Sequence, residues 1–219
     1  MKEIYEQPVA IANTLEGRLV AGKLNLESLG DLSNIDQVQI IACGTSYHAG
    51  MTARYWIEEL AGIACNVEIA SEFRYRNPIL NERTLVVSVC QSGETADTLE
   101  AMHRATTGGA RTIALTNVEG SQAHRRAEGT ILLHAGPEIG VASSKTFINS
   151  MVATQLLAIR LGEARGTLQA AAAADLVDAL SRLPALLGET LSMNGDIVRA
   201  LAEKHVRARR FLFLGRGLL

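Results

Sequence analysis

Short apolar runs rich in β-branched residues recur along the middle of the chain, at residues 38–42 (VQIIA), 66–70 (NVEIA), 84–89, 111–116 and 130–134. Three of the five are followed by a polar turn and then by an amphipathic stretch, which predicts helices over 47–61, 95–107 and 121–126. Gly62 and the Gly108-Gly109 pair stand where the first two of these helices should stop, because glycine accepts the left-handed conformation cheaply. After the second run comes SEFRYRNP, where Pro78 rules out a long helix. The runs are continuously apolar and do not alternate with polar residues, as expected of strands buried on both faces. Strand and helix in alternation with such strands predict an α/β fold: a parallel sheet covered by helices on both sides.

The two ends of the chain read differently. Ile4, Ile11, Leu15, Leu19 and Leu26 fall roughly on one helical face, while Gly17 and Gly22 divide the segment, so two short helices and a connection are expected. Beyond Ser144 the pattern is helical throughout: 147–160 closed by Gly162, an alanine-rich 167–187 with Pro184 near its end, and 196–205. The FLFL run at 211–214 looks like a new strand opening on GRG. The expected organisation is N-terminal helices over 1–32, an α/β domain over 33–165, a helical segment over 166–210 and the start of another unit over 211–219.

Composition narrows the function class. Of 219 residues, 47% are hydrophobic and 20% charged, ample for a globular core. The net charge of −2 gives no nucleic-acid footprint, and Arg207, Arg209 and Arg210 read as a solvated helix end. No apolar stretch is long enough to span a membrane, and the opening MKEIYEQP lacks the apolar heart of a signal peptide. Cys43, Cys65 and Cys90 are odd in number and without CxxC spacing, which suggests free thiols in a reducing, cytoplasmic setting. The five histidines are scattered without metal-ligand spacing, and no metal or cofactor is expected.

The candidate chemistry lies in the turns. Ligands of open parallel sheets bind beyond the C-terminal strand ends, where each following helix offers unpaired N–H groups and the positive end of its dipole. Cys90-Gln91-Ser92-Gly93-Glu94-Thr95 adds short hydroxyls and a glycine at such a point, and Cys43-Gly44-Thr45-Ser46 repeats the arrangement. A third hydroxyl cluster follows at Gly140-Val141-Ala142-Ser143-Ser144. Ordinary helix capping explains either turn taken alone; three together favour an anionic, hydroxylated ligand. Glu94 reads as a first-turn carboxylate favoured by the helix dipole. Lys145 could face an anion, although a lone lysine at a helix start is ordinarily solvated. No GxGxxG, GxxxxGK[ST] or GxSxG motif is present.

These residues, in order and spacing, also resemble a known family. CGTS-YHAG, EIASEFRYR, QSGETADTL and EIGVASSKTF closely resemble the isomerase part of the glutamine–fructose-6-phosphate aminotransferases, and KEIYEQPVAIANTL resembles the linker that precedes it. QSGET marks the wider sugar isomerase (SIS) fold, a three-layer αβα arrangement around a flavodoxin-like parallel sheet. The resemblance implies binding of fructose 6-phosphate on the route to glucosamine 6-phosphate, no cofactor, and a homodimer. It places the phosphate on Ser92 and Thr95 with the Gln91 backbone amide, and the sugar on the Gly44-Thr45-Ser46 turn, the Val141 carbonyl and the Ser143 hydroxyl. Cys90 stands where the family usually has serine, which implies a modest loss of phosphate affinity, a compensating contact, or simply a small buried residue. The catalytic glutamate, histidine and lysine of the family are expected beyond FLFLGRG, so the segment is expected to be incompetent alone. A phosphosugar sensor module would need a nearby helix-turn-helix, and a stand-alone isomerase would need its own acid and base.

Overall fold

The structure is a computed structural model that describes residues 1–217. The chain opens with α1 (Lys2–Tyr5) and α2 (Gln7–Leu15), whose Ala10, Ile11, Thr14 and Leu15 are buried. Both helices lie before Gly17, and no α-helix forms over 17–32. Leu19 and Leu26 instead flank a small antiparallel hairpin, β1 (Leu19–Val20) and β2 (Lys23–Leu24), followed by a 3-10 turn over Glu27–Leu29. Its turn residues, Ala21 and Gly22, have φ of 50° and 74°, the pair of positive values that suits a two-residue hairpin loop. The helical spacing of the leucines gave no sign of it.

The α/β body follows: β3 (Gln37–Ala42), α3 (Thr45–Ala61), β4 (Ala64–Ile69), a one-turn α4 (Ala70–Phe73), β5 (Thr84–Cys90), α5 (Ala96–Thr107), β6 (Arg111–Thr116), α6 (Gln122–Arg126) and β7 (Gly129–Leu132). The five strands pair in the order β4-β3-β5-β6-β7, all parallel. The chain leaves β3 toward one edge and, from β5 onward, builds toward the other. The boundary between β3 and β5 is therefore the topological switch point, where open α/β sheets leave a crevice.

Both faces of the sheet are buried. Val38, Ile40, Leu85, Val87, Ile113 and Leu115 pack into one core with α2, α3, α7 (Lys145–Arg165) and α8 (Ala170–Lys204). Ile41, Val86 and Ala114 pack into a second, with Leu99, Met102 and Ala105 of α5. Each fully buried Leu, Ile or Val contributes about 1.5–3 kcal/mol relative to exposure, which explains the unbroken apolar strands.

Two helix readings need correction. Gly162 does not close the helix after Ser144; α7 runs through it to a left-handed Gly166. A Cβ at Gly162 would meet the Leu60 carbonyl oxygen at 2.7 Å, so this glycine serves the close crossing of α3 and α7. The segments expected at 167–187 and 196–205 form one 35-residue helix, α8, with Pro184 inside it. Its inner face packs on α2 and α7, and this tertiary support overrides the local breakers. The run at 211–214 pairs with no strand among the described residues, and its side chains are exposed, since a strand needs a neighbouring backbone to bond. The last two residues of the 211–219 segment lie outside the described residues. No described helix is long and apolar enough to cross a membrane.

Candidate functional site

Three chain segments meet beyond the C-terminal ends of β3 and β5. The first is the turn from β3 into α3. Gly44 occupies the N-cap with φ 59°, and no side chain caps the first turn of α3. Tyr47 N–H donates to the Gly44 carbonyl at 3.1 Å, while the N–H groups of Thr45 and Ser46 face no side-chain cap.

The second is the turn from β5 into α5. Gly93 has φ 68°, and a Cβ there would sit 2.3 Å from Ser121 Oγ and 2.9 Å from Thr116 Oγ1. Glycine is required at this point on both counts. Ser92 Oγ accepts a hydrogen bond from the Glu94 N–H at 3.2 Å. Thr95 is the N-cap of α5, yet its side chain makes no capping bond. Simple capping therefore accounts for Ser92 in part and for Thr95 not at all. Glu94 turns away from the dipole role expected of it: its carboxylate accepts from the Gln122 backbone N–H at 2.8 Å and from Gln122 Nε2 at 2.7 Å. Those two bonds hold its carboxyl below the usual range.

The third segment links β7 to α7. His134, at φ 50°, ends the strand short of the expected 130–134 span. Asn117 at the end of β6 then grips the chain, accepting from Ala135 N–H at 2.7 Å and donating to the Gly136 carbonyl at 2.8 Å. Farther on, Glu138 folds back over the start of α7. Its Oε1 accepts from the N–H groups of Ser144 and Lys145, both at 2.9 Å, and its Oε2 accepts from the Ser143 hydroxyl at 2.8 Å. Burial would raise its pKa, but these bonds, with those from Thr146, outweigh burial and hold it below the ordinary value. Ser143 Oγ also accepts from Phe147 N–H at 3.2 Å, which leaves one lone pair for an outside donor such as a sugar hydroxyl. Lys145 is not solvated. It is buried, and its Nζ pairs with Glu6 at 2.6 Å.

The three segments enclose a cavity of about 380 Å³. All nine residues singled out from the sequence line it: Gly44, Thr45 and Ser46 from the first turn; Cys90, Gln91, Ser92 and Thr95 from the second; Val141 and Ser143 from the third. Cys90 contributes wall more than donor. It is buried, its Sγ lies 3.6 Å from the Leu115 carbonyl oxygen inside the sheet, and burial pushes its thiol up to about 11. Cys43 and Gly140, from the same two expected clusters, also line the cavity, as do Val89, Thr98 and Glu138, which were not among the expected residues. Thr98 was legible, since it stands three residues after Thr95 on the same helical face. Glu138 was not, because it caps from six residues outside the helix, beyond any local capping signature. The helix N-termini of α3 and α5 both point their dipoles at the space, while Glu138 neutralises that of α7. The arrangement suits an anion on the α5 side and hydroxyls elsewhere. Among the described residues no group of His, Cys, Asp or Glu could hold a metal ion.

The profile of the SIS domain matches residues 31–160. The chain is 50% identical over 223 residues to a glutamine–fructose-6-phosphate aminotransferase (isomerizing) of Pseudomonas putida, covering 99% of this chain and 36% of that protein. The corresponding protein of Pseudomonas syringae is 49% identical with the same coverage. The chain thus spans about a third of the length of these relatives. Among solved structures, the C-terminal domain of glucosamine-fructose-6-phosphate aminotransferase from Francisella tularensis superposes with a TM-score of 0.93 and 38% identity, over 99% of this chain and 62% of that one.

Proposed function

Since the chain belongs to the SIS domain family, we propose that its cavity binds fructose 6-phosphate and forms the substrate-binding half of the isomerase part of a glutamine–fructose-6-phosphate aminotransferase. The whole enzyme would turn fructose 6-phosphate and glutamine into glucosamine 6-phosphate and glutamate, a step of amino-sugar biosynthesis. One observation carries the reading: nine residues from three separate sequence motifs line a single cavity at the switch point of the sheet. The close identity to aminotransferases over nearly the full chain favours this reading over a phosphosugar-sensing module.

The geometry supports a role for each residue. The phosphate sits at the N-terminus of α5, where Ser92, the uncommitted Thr95 hydroxyl and the backbone N–H groups around Gln91 donate to it and the helix dipole favours its charge. Thr45 and Ser46 meet sugar hydroxyls. The Val141 carbonyl and the remaining Ser143 lone pair accept from the opposite wall. The one carboxylate of the described lining, Glu138, is engaged in holding the start of α7 and is ill placed to shuttle protons. Proton transfer and Schiff-base chemistry are therefore assigned to groups outside this segment. We further propose a cytoplasmic homodimer as the working form.

Isothermal titration of fructose 6-phosphate into the chain, with fructose as control, tests the reading. Saturable binding that requires the phosphate is the expected result. Equal behaviour of the two sugars in a folded sample would sink it.

A further inference from the structure

Glu3 of α1 and Glu6, the residue that joins α1 to α2, are two carboxylates about one turn apart that reach the third wall of the cavity. Glu3 Oε1 accepts from Ile139 N–H at 2.6 Å and from Gly140 N–H at 3.2 Å. Glu6 Oε2 lies 2.6 Å from Nζ of Lys145, whose side chain is 4% exposed. Between these anchors stand Val141 and Ser143. The contact is close: a Cβ at Gly140 would sit 2.6 Å from Glu3 Oε2, so a side chain there would have to displace the Glu3 carboxylate. An ammonium buried at a helix N-terminus is opposed both by the dipole and by desolvation, so Lys145 needs the carboxylate that Glu6 supplies.

The segment that carries these groups is anchored through the helix that follows it. It runs directly into α2, where Asn149 of α7 donates to the Ala10 carbonyl at 2.8 Å and to Thr14 Oγ1 at 2.7 Å. The carboxylates are thus held from outside the α/β body and grip the one cavity wall built by a long connection and not by a short strand-to-helix turn.

We propose that Glu3 and Glu6 are positioning residues for the phosphosugar. They hold residues 139–145 in the form that presents the Val141 carbonyl and Ser143 to the ligand, which makes the N-terminal helix part of the binding site. The proposal rests on the phosphosugar reading of the cavity. By linkage, a ligand that needs this form of the segment also strengthens the docking of α1.

Hydrogen exchange of individual amides, measured beside fructose 6-phosphate titration on the unaltered chain, Glu3→Ala, Glu3→Gln and Glu6→Gln, tests it. Glu3→Ala should speed exchange at Ile139 and Gly140 roughly tenfold, leave β5 amides unchanged and weaken binding roughly tenfold, the loss of one charge-assisted contact. Glu3→Gln, which keeps one carbonyl acceptor, should fall between. Glu6→Gln should weaken binding and loosen the start of α7. Unchanged exchange at Ile139 and Gly140, faster exchange with full affinity, or a general rise that includes β5 would each overturn the proposal. If the unaltered chain fails to bind fructose 6-phosphate, the phosphosugar reading falls and with it the ligand role of Glu3 and Glu6. The exchange data would then show only whether they hold the segment.

Discussion

Cys90, Cys65 and Cys43 share a side chain and differ in what surrounds it. Burial pushes the thiol of Cys65 up to about 12 and that of Cys90 up to about 11, while Cys43 at the cavity edge is partly exposed. The thiolate is the reactive species, so the first two are protected chemically as well as sterically. Limited alkylation near neutral pH, read by mass spectrometry, should label Cys43 well before the others, and fructose 6-phosphate should slow that labelling. Uniform labelling of all three would contradict the burial argument. Cys90 is also where resemblance and geometry part: serine would be the usual residue, yet the atom points to Leu115 within the sheet, so the phosphate donors are better sought at Ser92, Thr95 and the backbone.

The turn between β5 and α5 shows how an element boundary can be a site. Its backbone reverses at Gly93, which Ser121 and Thr116 crowd from the α6 side. Ala123 N–H donates to the Gly93 carbonyl at 3.0 Å, and Glu94 holds Gln122, so the turn is fastened to α6 on both flanks. Gly93→Ala should destabilise the fold by about 1–3 kcal/mol, from the positive φ alone. It should also weaken fructose 6-phosphate binding, because relief of the clash must move the turn. Thermal unfolding and titration check the two effects; full affinity in this variant would mean that the turn does not shape the site. Helix α8 makes the opposite point. Pro184 lacks the N–H that would bond the Leu180 carbonyl, but the helix continues because Leu180 and Val177 are buried.

Across the molecule, three carboxylates tie separate segments together: Glu138 caps α7, Glu6 pairs with Lys145 and Glu94 fastens α5 to α6. Each has its pKa lowered below the ordinary 4.5. For a depressed carboxyl, the stabilisation is fully present above the unfolded value and is lost as pH falls through the lower folded value. The melting temperature should therefore hold nearly level above pH about 5 and decline below it. Glu138→Gln should lower the melting temperature at neutral pH and flatten the acid decline; an unchanged slope would remove Glu138 from this account. The decline should coincide with loss of fructose 6-phosphate binding, since Glu138 orders the wall that carries Ser143.

The sequence by itself determined the strands, the α/β class and the two hydroxyl-rich turns, because continuous apolar runs and glycine- and serine-rich helix starts are local signals that burial and backbone geometry impose directly. It also named nine residues that come to line one cavity. What it left open were matters settled by partners distant along the chain. The 21–22 turn replaced a helix with a hairpin, α8 ran on through Pro184, and 211–214 lacked a neighbour with which to pair. Glu138, Glu3 and Glu6 were invisible for the same reason. A carboxylate that caps a helix six residues away, or a loop more than a hundred residues away, leaves no spacing in the sequence to read. Only the tertiary structure brings such a group to the N–H it satisfies.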